Sequence, residues 1–344
     1  MKYRLLGRTG LYVSHICLGT MTYGGKGFWQ VVGDLQADAV AAQLRAAREA
    51  GVNFIDTANV YHEGLSEELL GEGLRAVGWP RDELVLASKV RGRMGAGPNQ
   101  TGLSRAHIMR QIDESLRRLK TDYLDLYQIH GVDPLTPLDE TLRALDDVVR
   151  AGKVRYLGVS NHAAWQIMKA LGISAARGLA RFESMQAYYS IAGRDLEREV
   201  VPMCLDQQVG ILAWSPLAGG LLTGKFTREG DGPTGARRTT FDFPPVDRER
   251  TFACVDALRP MAAERGCSIA RLALAWALQQ PGITSIIIGA RTQAQLDDNL
   301  AAGAVAFDAD ELATLAEVSA LPSEYPGWML ARQSADRQSE ETEA

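Results

Sequence analysis

Four apolar runs in this chain end in polar residues that could do chemistry together: Phe54-Ile-Asp56, continuing through Thr-Ala-Asn-Val to Tyr61; Leu86-Ala-Ser-Lys89; Tyr127-Gln-Ile-His130; and Gly158-Val-Ser160-Asn161. A tyrosine phenol, with an ordinary pKa near ~10, is a poor acid at neutral pH unless a nearby cation stabilises its phenolate. Lys89 is such a cation. Asp56, paired with it, would keep the ammonium charged and in place, while His130 would orient a substrate carbonyl by hydrogen bonding. That set protonates an oxyanion while hydride arrives at the carbon. An isolated Asp–Lys pair is usually structural and a loop tyrosine usually only packed; their joint occurrence at matched positions is what points to a site.

The matching is one of spacing. Asp56, Lys89, His130 and Ser160 follow one another at intervals of 33, 41 and 30 positions, about one β/α unit each in a barrel of about 250 residues. Between them, helix and strand signals alternate. Val40, Leu44 and Ala47 lie at helical spacing over 38–50 and stop at Gly51 before a strand over 52–56. Ser66-Glu-Glu reads as an N-cap with an acidic first turn. Strands are expected over 15–20, 84–90, 123–130, 154–160, 182–188, 210–215 and 283–289, with helices near 165–171, 196–207, 252–265, 268–280 and 292–301. Such alternation implies a parallel sheet, because parallel strands need crossover helices. The fold expected is a (β/α)8 TIM barrel, one domain over 1–321, whose catalytic groups meet at the C-terminal ends of the strands.

Three segments stand outside the repeat. Residues 3–13, broken by Gly7-Arg8-Thr9-Gly10, read as a hairpin that plugs the barrel bottom. Residues 227–250 form a long loop after the seventh strand, rich in Gly, Pro and Arg, and are expected to cover a cofactor. Residues 322–344 turn polar; from Ser334 on there is no apolar face, and a partly disordered tail is expected.

With 344 residues, 46% hydrophobic and 23% charged, the chain can bury a large core. Its net charge of -5 is mild and no basic stretch could track phosphates, which speaks against nucleic acid. No apolar run of roughly eighteen residues suggests a membrane segment, so a cytoplasmic protein is expected. Cys17, Cys204, Cys254 and Cys267 form no CxxC pair and fall in apolar or helical patterns; no disulfide framework and no metal are expected. Gly71-Glu-Gly73-Leu-Arg-Ala76 matches a dinucleotide fingerprint but follows a helix start rather than a strand. Gly219-Gly-Leu-Leu-Thr-Gly224-Lys225 lacks the hydroxyl that would bind magnesium, since Phe226 stands there, yet its backbone N–H groups can still cradle a phosphate.

In these contexts Asp56, Tyr61, Lys89 and His130 resemble the catalytic tetrad of the aldo-keto reductase superfamily, and the similarity runs from about Leu5 to Leu321. Gly158-Val-Ser-Asn161, Met185-Gln-Ala-Tyr188, Ala213-Trp-Ser-Pro-Leu217 and Gly289-Ala-Arg-Thr-Gln-Ala-Gln-Leu-Asp-Asp-Asn299 resemble its cofactor segments in order. The long loop and the Met185-Gln-Ala-Tyr-Tyr-Ser190 phrase are closest to aryl-alcohol dehydrogenase-like enzymes and potassium-channel β subunits. The resemblance implies that Ser160, Asn161 and Gln186 bond the nicotinamide carboxamide and that Trp214 stacks on the ring, with Thr20 and Met21 nearby. It places Ser215, Pro216, Leu217, Gly219 and Lys225 around the pyrophosphate, with Gly289 and Arg291 at the 2′-phosphate of NADP. Gln295, Asp298 and Asn299 would face the adenosine, and the lid residues Arg237 and Arg238 would add phosphate contacts. Tyr23, Trp29 and Arg91 are the expected substrate residues.

The reading that results is an oxidoreductase using NADP(H) to reduce aldehydes or ketones, with a small-molecule carbonyl as its partner. Two others stay open. One is a nucleotide-sensing regulatory subunit with slow turnover, against which the lack of a partner-binding N-terminal extension counts. The other is an isomerase or aldolase using Lys89 as a Schiff-base lysine.

Overall fold

The computed structural model describes residues 1–341 apart from 229 and 231. Two short strands, β1 (Tyr3–Leu5) and β2 (Tyr12–Ser14), pair antiparallel across the turn at Gly7. Leu6 and Val13 pack against Cys17, Phe54, Val85 and Leu126, residues near the N-terminal ends of barrel strands, so the hairpin closes the barrel at that end.

Eight parallel strands form the closed barrel: β3 (Ile16–Gly19), β4 (Phe54–Asp56), β5 (Val85–Val90), β6 (Leu124–Ile129), β7 (Val154–Ser160), β8 (Phe182–Tyr188), β9 (Gly210–Trp214) and β10 (Ile283–Ile288). The ring shuts where β10 pairs with β3, Ile286 beside Ile16 and Ile288 beside Leu18. Register decides which polar residues meet. Lys89 stands beside Gln128, Gln128 beside Gly158, and Ser160 beside Gln186. Gly158 makes room in that row, since a Cβ there would lie 2.8 Å from Gln128 Cγ and 2.6 Å from Ser184 Oγ.

The helices are α1 (Ala37–Glu49), α2 (Leu65–Ala76), α3 (Arg105–Leu119), α4 (Leu138–Arg150), α5 (Ala164–Arg177) and α6 (Val200–Asp206). Then come α7 (Arg237–Thr240), α8 (Arg248–Glu264), α9 (Ile269–Leu278), α10 (Gln293–Leu300), α11 (Ala309–Val318) and α12 (Gly327–Glu341). Each crossover helix turns an apolar stripe to the sheet, as α1 does with Val40, Leu44 and Ala47. Among the described residues, no helix is long and apolar enough to cross a membrane.

Three local expectations change. Ser66 is not an N-cap: α2 starts two residues earlier than that would give, at Leu65 from an N-cap at Gly64 with φ 97°, and the buried Ser66 hydroxyl bonds the Thr20 carbonyl at 2.9 Å instead. Residues 327–341 form a helix inside the segment expected to be a partly disordered tail, their Ala, Arg, Gln and Glu being helix formers, and residues 342–344 lie outside the described residues. Helix α11 was not anticipated, although Asp308 and Glu311 announce it with a capping box.

Candidate active site

Above the C-terminal ends of the strands lies a cavity of about 860 Å³, into which Asp56, Tyr61 and His130 project. Lys89 lies behind them, fully buried, and joins them. Its Nζ donates to Asp56 Oδ2, to the Thr57 carbonyl at 2.8 Å and to the Tyr61 hydroxyl at 3.3 Å. Desolvation opposes the ammonium, but Asp56 and Tyr61 more than offset it, so Lys89 stays above its ordinary pKa.

Burial also pushes the Tyr61 phenol up, with Lys89 pulling against that shift. The net direction is upward, opposite to the net lowering expected from the lysine alone, because dehydrating a phenolate outweighs one cation beside it. Tyr61 therefore holds its proton until something draws it off. The His130 ring stands edge-on to it, 5.7 Å between centroids. Desolvation first, then Lys89 and Arg91, drives His130 down to about 3, so its imidazole is neutral at physiological pH.

Asp56 is held from the other side by two amides. Gln128 Nε2 and Gln186 Nε2 both donate to its Oδ1, at 2.8 and 2.9 Å. Gln128 escaped the sequence reading. Its signal was there: it lies two residues before His130 on β6, and alternate residues of a strand share a face.

The cavity wall also carries Thr20, Met21, Ser160, Asn161, Gln186, Trp214, Ser215, Pro216, Leu217, Gly219, Lys225, Gly289, Arg291, Gln295, Asp298 and Asn299. Several already have partners. Asn161 takes the Trp214 indole N–H on Oδ1 and gives Nδ2 to the His130 carbonyl. Asp298 is engaged by Arg271 and Ser268. The Arg291 guanidinium bonds the carbonyls of Val31, Val32 and Gly235. Stacked on the Trp214 indole is Phe243 from the 227–250 loop, 5.7 Å between centroids and 7° between planes.

What remains free fits a nicotinamide nucleotide. Ser160 Oγ is buried without a partner on the wall, and Gln186 Oε1 accepts no hydrogen bond among the described residues; a donor and an acceptor there complement a primary carboxamide. After β9 the chain turns through Ser215, Ala218, Gly219 and Gly220, all at positive φ, and a Cβ on Gly219 would lie 2.5 Å from the Phe243 carbonyl. Lys225, Arg237 and Arg291 have no carboxylate partner among the described residues. Burial first, then the cationic neighbours Arg238 and Arg291, hold Arg237 down to about 10, and a positive wall of this kind suits an anion. Arg238 is not part of it: it ties the Ala218 and Pro244 carbonyls and Asp242.

Of the expected substrate residues, only Trp29 lines the cavity. Tyr23 is fully buried in the core with its hydroxyl unpartnered, its backbone bridged to Leu35 beyond the end of β3. Arg91 is exposed at a backbone φ of 149°, its Nε on the Val132 carbonyl at 3.0 Å, so it is held beside His130 without lining the cavity.

A closed (β/α)8 barrel with a lysine-backed tyrosine at its C-terminal mouth is the arrangement of a class of barrel oxidoreductases. The chain belongs to the aldo/keto reductase family, whose model matches residues 15–320. It is similar to an uncharacterized oxidoreductase of Bacillus subtilis, 37% identical over 92% of this chain and 96% of that one. It also resembles a probable voltage-gated potassium channel subunit beta of Oryza sativa, 36% identical over 88% of this chain and 91% of the relative. A versiconal hemiacetal acetate reductase of Aspergillus parasiticus is 34% identical over 95% and 99%.

Proposed function

We propose that the protein reduces aldehydes or ketones to alcohols with NADPH, Tyr61 acting as general acid, in the cytoplasm. The observation that carries this is the Tyr61 hydroxyl, 3.3 Å from a buried, charged Lys89 and open to the cavity beside a neutral His130. When bound, the nicotinamide supplies hydride to the carbonyl carbon. Tyr61 gives its proton to the carbonyl oxygen as negative charge gathers there, Lys89 steadies the phenolate left behind, and Asp56 keeps Lys89 in place. His130 orients the oxygen without adding charge.

Ser160 and Gln186 would hold the carboxamide, and the wall of Lys225, Arg237 and Arg291 would take the phosphates. The preference for NADPH over NADH rests on Arg291, which has to exchange backbone carbonyls for a 2′-phosphate. A cytoplasmic setting is supported by four cysteines that are all free thiols. Lys89 is a poor Schiff-base lysine, being buried behind the wall and firmly protonated.

The channel-subunit relative favours one second reading, a nucleotide sensor with slow turnover. Stopped-flow mixing of protein-bound NADPH with aromatic, aliphatic, sugar and α-dicarbonyl compounds separates the two. Rapid loss of NADPH absorbance with at least one class is expected. If none oxidises the bound nucleotide faster than buffer does, the sensor reading replaces the reductase.

A further inference from the structure

Just after Tyr61 the chain takes three successive left-handed steps, His62 at φ 49°, Glu63 at φ 58° and Gly64 at φ 97°. Glycine enters that region freely, whereas the other two are held there against their preference. The His62 imidazole shows what holds them. It is fully buried, and its Nδ1 accepts the backbone N–H groups of Gly25 at 2.8 Å and Lys26 at 3.1 Å. Two N–H donors on Nδ1 require that nitrogen to be bare, so the ring proton is on Nε2, which donates to the Met21 carbonyl at 3.0 Å.

One side chain thus ties both ends of the stretch from Met21 to Lys26. The fit is close, since a Cβ on Gly24 would lie 2.4 Å from His62 Cγ. The stretch runs on into a 3₁₀ turn, Gly27–Val31, that carries Trp29. Trp29 stands edge-on to Tyr61 at 5.2 Å between centroids, lies 6.2 Å from the His62 ring, and lines the cavity.

We propose that His62 is a positioning residue for carbonyl reduction: as the neutral Nε2–H tautomer it holds the Met21–Val31 segment so that Trp29 walls the substrate side of Tyr61, and a proton on Nδ1 releases that wall. The kinetic half of this inference rests on the reductase reading; the tautomer and the tie do not. A protonated Nδ1 would face two N–H donors, so it cannot coexist with the observed contacts. Of the charged groups around the ring, Glu63 is paired with Lys26 at 3.0 Å, Asp34 stands behind Gly25, and Tyr61 with Lys89 occupies the barrel side. Desolvation sets the ring below its ordinary value of 6.5, with the Met21 contact pulling the other way. The held arrangement is therefore fully present above about pH 6.5 and is lost as pH falls through the lower folded value.

The test uses the full chain and two variants. Asparagine tolerates left-handed backbone and offers an oxygen near the place of Nδ1 that cannot be protonated; glycine keeps the backbone and removes the tie. In ¹⁵N spectra of the wild type at pH 7, His62 Nδ1 is expected bare and Nε2 protonated. The Gly25 and Lys26 amides should lose hydrogen-exchange protection below about pH 6.5 in the wild type but not in His62→Asn. His62→Gly should raise KM for the carbonyl about tenfold while kcat and NADPH affinity stay within about twofold. His62→Asn should restore KM at pH 7 and lack the rise in KM that the wild type shows in acid. A protonated Nδ1 at pH 7, or a wild-type KM in His62→Gly, overturns the proposal. Should the glycine variant not fold, an acid rise in KM retained by His62→Asn overturns it equally. A wild type that reduces no carbonyl removes the reductase reading alone, and the ring spectra and amide exchange then decide the tie.

Discussion

In the floor of the cavity Asp56 accepts from Lys89, Gln128 and Gln186, and Lys89 spends its donors on Asp56, Thr57 and Tyr61. At the rim, by contrast, Lys225, Arg237 and Arg291 crowd together without a carboxylate among the described residues, and Arg291 is tied only to carbonyls. The floor is borne mainly on strands whose register sets each side chain. The rim is borne on loops and on the first residue of the short helix α7. Proton transfer needs partners in place before the ligand arrives, because reorganising them during the reaction raises the barrier. Anion binding needs charge that can change partners at little cost, and backbone carbonyls are weak enough holders to allow it.

The sharpest way to break this contrast is to remove the floor's proposed acid. Tyr61→Phe should lower carbonyl reduction by about 10²–10⁴-fold while NADPH affinity, read by fluorescence titration, barely moves. Residual turnover within about tenfold of wild type would take Tyr61 out of the role.

Next comes the pair beneath it. Lys89→Met leaves Asp56 buried beside no cation, and urea unfolding should show a loss of about 3–5 kcal/mol. Adding Asp56→Asn should recover much of that. An unchanged unfolding midpoint in the single variant would mean the pair is not desolvated.

A smaller effect is expected at the rim, where Arg291→Ala should weaken NADPH by about 1.5–3 kcal/mol and NADH hardly at all. Wild-type NADPH binding should also fall with salt more steeply than the variant's. Equal loss of both nucleotides would assign Arg291 to holding the Val31 and Gly235 segments together.

The mildest test is acid. His130 has a folded pKa near 3, below its ordinary 6.5, so the unfolded chain binds more protons between these values and stability must fall as pH drops through that window. The slope is at most about 1.4 kcal/mol per pH unit, and His130→Asn should flatten it. A wild-type stability that is level from pH 6.5 to 5, relative to that variant, would show His130 to be solvated.

The barrel was legible because its signals are local. Short apolar runs, helical stripes and Gly51 after α1 each follow from neighbouring residues, and parallel pairing follows from their alternation. The meeting of Asp56, Tyr61, Lys89 and His130 was legible for a related reason, since strand ends recur at barrel spacing. Tyr23 and Arg91 fall off the cavity wall because they lie beyond their strands, where a bridge to Leu35 and a bond to the Val132 carbonyl hold them instead. Ser66 misled for a similar reason: a hydroxyl beside a helix start reads as a cap until a carbonyl 46 positions away, that of Thr20, claims it.

The sequence by itself determined the ring of strands, the hairpin at one end and the four residue types at the other, all consequences of period and spacing along the chain. Only the tertiary structure decided that Gln128 braces Asp56, that Tyr61 lies above its ordinary pKa despite its lysine, and that Arg291 clasps two loops. Each of these depends on burial and on partners distant in sequence. Desolvation and hydrogen-bond geometry exist only once the chain has closed around them.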